Sequence, residues 1–234
     1  ILCPPYDVIS SKDQLNLYES SPYNMIRLEL GKETANDTGT DNRYTRSAHQ
    51  LRDWIKKGIL SYDDEYSMYV VEDEYTLSGK NYRLRGIFCA VKLEPYKNNV
   101  ILPHEETEPG PKEDRLKLMN ASSANFSPLM ALYKDTTGHI SEIIDNTCKS
   151  DAIDTEVFHT SGHIYRIWKI TLERSIQIIQ AALRNQTIFI ADGHHRYETA
   201  IKYRDQVNLA RETIVDEDGH NFGMMCLVDL KDHG

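Results

Sequence analysis

The chain lacks any apolar stretch approaching the roughly twenty residues a membrane helix requires, and nothing at its N-terminus resembles a signal peptide. A soluble, cytoplasmic protein with no membrane partner is the expectation. Positive charge is also scarce: 27 Lys and Arg against 36 Asp and Glu leave a net charge of −9. That balance argues against a surface built to neutralise nucleic-acid phosphates, which needs clustered cations. Nucleic acid is not an expected partner, and any phosphate site must be local. Cysteine is sparse too. Cys3, Cys89, Cys148 and Cys226 are scattered, with no CxxC and no zinc-type spacing, as suits buried thiols in a reducing compartment. There is no internal repeat, no low-complexity tract and no initiator Met. The chain opens on Ile1-Leu2-Cys3 and stops just after a strand-like run, which predicts the N-terminal part of a longer protein.

What is present suffices for a core. The 234 residues are 40% hydrophobic and 27% charged, enough for one large domain or two small ones, and one folded domain over residues 1–234 is the expectation. Residues 11–19 read as a short helix and 25–30 as a strand-like run. That run contains Arg27, whose guanidinium there needs a partner or an anionic ligand. Tyr44, Ala48, Leu51, Trp54 and Ile55 repeat at helical spacing up to Gly58. Residues 68–77 and 82–93 predict a hairpin around Ser78-Gly79-Lys80-Asn81, and 100–102 a short extended piece. Pro109-Gly110-Pro111 reads as a turn. Helices are expected over 112–119, 139–148, 175–183 and 197–204, strands over 129–133, 187–191 and 223–230, and a second hairpin over 157–170, broken at Ser161-Gly162. The mixture predicts α+β with a mixed, largely antiparallel sheet and flanking helices.

Residues 187–200 pass from period-two apolarity to helical spacing across one glycine. Gly193 admits backbone angles closed to other residues and lets a ligand approach the main chain, and a helix N-terminus beside it attracts anions. Arg196 adds a fork of donors matched to phosphate oxygens. His194 and His195 are suited to phosphate donation, proton shuttling or metal binding. Asp192 is suited either to Mg2+ or to capping the helix. The plainer alternative is a capped helix beside a core strand, with solvated histidines and Arg196 in a surface ion pair.

A second constellation, His104-Glu105-Glu106, sits on a loop after a short apolar run, where catalytic groups often lie. Without helical metal-ligand spacing it also reads as a solvated acidic loop. Lys112 and Arg115 lie one helical turn apart and can reach one anion, or can pair with Glu113 and Asp114. His49, His139, His159, His163 and His220 share no spacing and are read as surface or satisfied residues.

The segments Pro4-Pro5-Tyr6-Asp7-Val8-Ile9, His104-Glu105-Glu106-Thr107, residues 109–115, Ala124-Asn125-Phe126-Ser127-Pro128 and residues 190–200 together resemble the DUF1015 family, whose activity is not established. The glycine-histidine-arginine box resembles that of the ParB/sulfiredoxin superfamily, which includes CTP-binding partition proteins, sulfiredoxins and kinases acting on free serine. The resemblance implies a phosphate-binding strand-turn-helix with contacts from Gly193, His194, His195 and Arg196. Sulfiredoxins place a reactive cysteine in the box where this chain has His194, which disfavours sulfinic acid reduction. No basic helix-turn-helix of the ParB kind is present.

The free-serine kinases remain as the functional analogue. They imply a phosphotransferase that uses Mg2+ and ATP or ADP on a small hydroxyl metabolite, with free serine or O-phosphoserine as candidates. Phosphoryl transfer needs a base within reach of the attacking oxygen and cations on the phosphoryl group. Glu105, His104 or His195 are the candidates for proton transfer. Arg115 joins the phosphate contacts, and Asp192, Asp7 and Glu106 are the candidates for metal. The alternatives are hydrolysis of a phosphorylated metabolite, or a nucleotide-binding switch without turnover.

Overall fold

Alternating Val, Tyr and charged residues give β1, Met68–Leu77, and a run rich in aromatic and β-branched residues gives β2, Lys80–Lys92. The two pair antiparallel from Tyr69↔Phe88 to Leu77↔Lys80. Ser78 and Gly79 close the hairpin with φ of 53° and 76°, the left-handed pair that matches the twist of two strands joined by a two-residue loop.

The computed structural model describes residues 2–105, 109–149, 152–159 and 161–232, with the backbone alone for 109–111. The chain divides into two compact units, one comprising Ile1–Tyr62, Glu108–Ser127 and Glu198–His220, the other Asp63–Thr107, Pro128–Tyr197 and Asn221–Gly234. The second holds the whole sheet. Its further strands are β3 (Ile101–Leu102), β4 (Leu129–Tyr133), β5 (Thr155–Phe158), β6 (Ile164–Ile170), β7 (Ile188–Asp192) and β8 (Phe222–Asp229). Their order is β3-β7-β4-β8-β2-β1-β6-β5. Among the described residues β3 runs parallel to β7 and β4 parallel to β8, and the other pairs are antiparallel. The α+β class with a mixed, largely antiparallel sheet therefore stands.

Val70, Ile87, Ala131, Ile190 and Met225 are at most 1% exposed and mark the core along the central strands. Helices α5 (His139–Cys148) and α6 (Glu173–Leu183) belong to this unit and bury Ile140, Ile144 and Ile179. Ile140 and Ile144 sit four residues apart, on one helical face. No helix among the described residues is long and apolar enough to cross a membrane.

The other unit is helical. Its α1, Ser11–Ser20, opens with a capping box between Ser10 and Asp13, a device that stabilises a helix by about 1 kcal/mol. Helix α3, Arg43–Lys56, is capped by Asn42 with Thr45. Two expectations are corrected here. Met25 to Leu30 reads as a strand by alternation, but Ile26–Glu29 is one helical turn, α2. Carbonyls that would face a strand neighbour are taken by side chains instead: Ser47 Oγ donates to Leu28 O, Arg115 Nη1 to Glu29 O, and Gln14 Nε2 to Leu30 O. Arg27 donates to the Tyr18 carbonyl and lies over the Tyr18 ring, so it finds protein partners.

The second correction concerns Pro109-Gly110-Pro111, which opens helix α4, Pro109–Ser122, where a free turn is expected. Proline is tolerated in a first helical turn because the N–H it lacks has no partner within the helix. Helix α7, His194–Leu209, starts in the sheet unit with residues 194–197 and continues from Glu198 in the helical unit.

Candidate functional site

Parallel pairing of a two-residue strand decides which distant residues meet. Ile101 aligns with Ile188 and Leu102 with Phe189, so the segments leaving the C-terminal ends of β3 and β7 emerge at one edge of the sheet. His104 and Glu105 follow β3, and Gly193 and His194 follow β7. Ligands favour such strand ends in sheets with parallel strands.

His104 Nδ1 bonds to the Ile190 carbonyl at 2.8 Å, just beyond the last paired residues of the ladder. A carbonyl only accepts, so Nδ1 of His104 carries the proton and Nε2 keeps its lone pair. The His104 backbone amide in turn donates to His194 Nε2 at 3.3 Å across 90 residues of sequence. An amide N–H only donates, which places the proton of neutral His194 on Nδ1. That nitrogen lies 3.0 Å from Glu105 Oε1. The two imidazoles meet edge to face with centroids 4.4 Å apart. His194 is 2% exposed, while the Glu105 side chain is 51% exposed. A buried imidazole thus orients a carboxylate that solvent can reach.

On the other flank of the turn the chemistry is closed. Gly193 has φ of +92°, a conformation that disfavours other residues. A Cβ built there would come within 2.8 Å of Leu129 Cδ2 and 2.9 Å of Arg196 Nη2. The guanidinium is therefore folded over the glycine. Arg196 Nη1 donates to the Pro128 carbonyl at 2.6 Å and Nη2 to Asp192 Oδ2 at 2.5 Å, and only 13% of the side chain is exposed. Contact between Arg196 and a phosphate would require these bonds to be given up, and Asp192 meets a cation already. The α7 dipole still places its positive end at the turn, and the Tyr197 amide makes the first helical bond back to Gly193 O. His195 is half-buried on that first turn.

The remaining candidates are placed elsewhere. Arg115 lies in the helical unit, 5% exposed. It donates to the Glu29 carbonyl and carboxylate and to Asp114, with its guanidinium 4.0 Å from the Tyr6 ring centroid. Protein acceptors occupy the fork expected to meet phosphate. Asp7 is exposed in a 3-10 turn, Tyr6–Val8, of that same unit. Glu106 lies outside the described residues. A magnesium site needs oxygen ligands, commonly one or two carboxylates together with substrate phosphates. Of its three candidate residues, Asp192 pairs with Arg196 and Asp7 belongs to the helical unit.

The two cysteines of the central strands are chemically silent. Burial pushes Cys89 and Cys226 up to about 12, which keeps both protonated and unreactive at neutral pH. What sequence reasoning missed is the centrality of His194, read there as one phosphate donor among several. The signal lay in the apolar pair Ile101-Leu102 immediately before His104, which implied a strand but not its partner.

Residues 1–234 match the model of one protein family, described as a protein of unknown function (DUF1015). No curated protein and no solved structure matches.

Proposed function

The chain belongs to the DUF1015 family, and from that premise we propose that its sheet unit transfers phosphate between a nucleotide and a small hydroxyl compound. Free serine or O-phosphoserine is the first substrate to try, and ATP or ADP with Mg2+ the first phosphate carrier. The observation that carries this reading is the convergence of His104, Glu105 and His194 beside the Gly193 turn. Transfer to a hydroxyl needs a group that accepts its proton, and an exposed carboxylate held by a buried imidazole is suited to that. Glu105 takes the proton, and His194 positions it through Nδ1–H. The positive end of α7, with His195 on its first turn, is the place for phosphoryl oxygens. Kinship with the free-serine kinases of the ParB/sulfiredoxin superfamily is part of this proposal and supplies the choice of substrate.

The test is Glu105→Gln. Turnover of serine with ATP or ADP, or of O-phosphoserine, is expected to fall by about 10²–10⁴-fold, the usual worth of a positioned acid or base. Nucleotide affinity by calorimetry should change by less than about twofold, because the substitution keeps the shape of the side chain. Unchanged turnover in the variant would remove Glu105 from the chemistry. Binding without turnover in the parent chain would favour a nucleotide switch, and phosphate release without a nucleotide would favour hydrolysis.

A further inference from the structure

We infer that His104, Glu105 and His194 form a binding site for a divalent transition-metal ion of the Zn2+ class, distinct in kind from the Mg2+ that accompanies a nucleotide. Each residue offers one ligand atom, and the three atoms lie within 4.8 Å of one another. Bonds of about 2.0–2.2 Å set tetrahedral donors roughly 3.3–3.6 Å apart, so any wider pair closes on binding, and the exposed His104 and Glu105 are the side chains placed to move inward. The donor set is two imidazoles and one carboxylate. Imidazole nitrogen suits Zn2+, Co2+, Ni2+ and Fe2+, whereas Mg2+ selects oxygen and dehydrates reluctantly. Three protein ligands leave a coordination position for water or substrate.

The surroundings support the assignment independently of the ligand count. His104 gives its Nδ1–H to the Ile190 carbonyl, the arrangement by which metal-binding histidines are held in one tautomer with the other nitrogen presented to the ion. His194 is fixed by burial at 2% exposure, while His104 and Glu105 are exposed and provide the way in. Binding has one identifiable cost. A metal at Nδ1 of His194 displaces the proton shared with Glu105, which moves to Nε2, and the 3.3 Å bond from the His104 amide is then lost. Two N–H donors then face each other beside a buried ring, so the His104 amide has to turn away from His194 as the ion binds.

A consequence follows for the proposed transfer reaction, and it rests on that reading. Coordination occupies the Glu105 carboxylate and removes it as a base, so Zn2+ should inhibit the Mg2+-dependent reaction. The site itself is tested without activity. The chelator-treated chain is titrated with Co2+ under calorimetry and visible spectroscopy, followed by competition with Zn2+ and with Mg2+. One Co2+ per chain with visible d–d bands, displaced by Zn2+ and not by excess Mg2+, is expected. His104→Ala and Glu105→Gln, both at exposed positions, should each weaken Co2+ by more than about tenfold. His139→Ala, at an exposed histidine outside the cluster, should leave binding unchanged. Absence of stoichiometric Co2+ binding, or binding unaltered in His104→Ala and Glu105→Gln, would overturn the site. Stoichiometric metal binding in a chain with no transfer activity would keep the site and remove the transferase reading. Transfer activity in a chain that binds no Co2+ would do the reverse.

Discussion

His194 and Arg115 are both buried ionisable side chains, 2% and 5% exposed, and each anchors a cluster of charged or titratable groups. They differ in what surrounds them. The partners of Arg115 turn inward: the Glu29 side chain is 4% exposed and that of Asp114 21%, and Asp114 is held in addition by Tyr44 and Arg43. Those of His194 open outward, ending on Glu105 and His104 at the surface. Burial of the central residue therefore does not separate a closed cluster from one open to a ligand. Exposure at the cluster's rim does, because a group that must meet a ligand cannot have every acceptor filled by protein.

The sharpest way to break this comparison is to remove one charge from each cluster, at the buried anchor of the first and at the open rim of the second, and read stability. Arg115→Met leaves Glu29 buried with no cation, and breaking such a pair costs about 3–5 kcal/mol. The urea midpoint followed by helical circular dichroism should fall accordingly. Glu105→Gln, at the open rim of the other cluster, should shift the same midpoint by no more than ~0.5 kcal/mol. Equal losses in the two variants would erase the distinction.

A smaller effect is expected at the turn that joins the open and closed flanks. Gly193→Ala introduces a side chain at φ of +92°, where non-glycine residues cost about 1–3 kcal/mol. It also forces Leu129 Cδ2 and the Arg196 guanidinium to move. A loss of about 2 kcal/mol is the expected result in the same unfolding experiment. Because Arg196 closes this flank, Arg196→Ala should release Asp192 rather than abolish phosphate affinity. Loss of nucleotide binding in Arg196→Ala, with the fold intact, would instead show that the guanidinium swings out to meet the ligand.

These differences explain how far the sequence could be read. Elements with an unbroken local pattern were legible to the residue, as with Leu129–Tyr133 and His139–Cys148, because a short continuous apolar run and a period of 3.6 are set by the local chain. Met25 to Leu30 misled because a short apolar run in which Ile26, Leu28 and Leu30 alternate with Arg27 and Glu29 fits a strand equally well. The choice of helix lies in Gln14, Ser47 and Arg115, whose side chains take its carbonyls from far away in sequence. The site divides in the same way. His104, Glu105, Gly193 and His194 are recognisable as chemically dense, but their meeting depends on a two-residue parallel ladder that no periodicity announces. The direction of a guanidinium is the least legible feature. Arg196 and Arg115 both look like anion binders until Pro128, Asp192, Glu29 and Asp114 are placed around them.

The smallest expected effect uses pH to ask whether the closed cluster carries the helical unit. Burial alone would raise the Asp114 carboxyl, but the charge of Arg115, the hydroxyl of Tyr44 and the charge of Arg43 outweigh it and hold it below the usual carboxylate range. A carboxylate depressed in the folded state stabilises fully above its unfolded pKa, about 3.9, and loses that contribution as pH falls through the lower folded value. Asp114→Asn should therefore cost ~1 kcal/mol at pH 7, kept modest because the group is partly solvated. The gap between the variant and the parent chain should close as the pH falls from about 3.9 through the lower folded value. Urea midpoints for both chains at neutral and acid pH check this. A gap that stays constant with pH would mean that shape rather than charge holds Arg115 in place, and the contrast with His194 would then rest on packing alone.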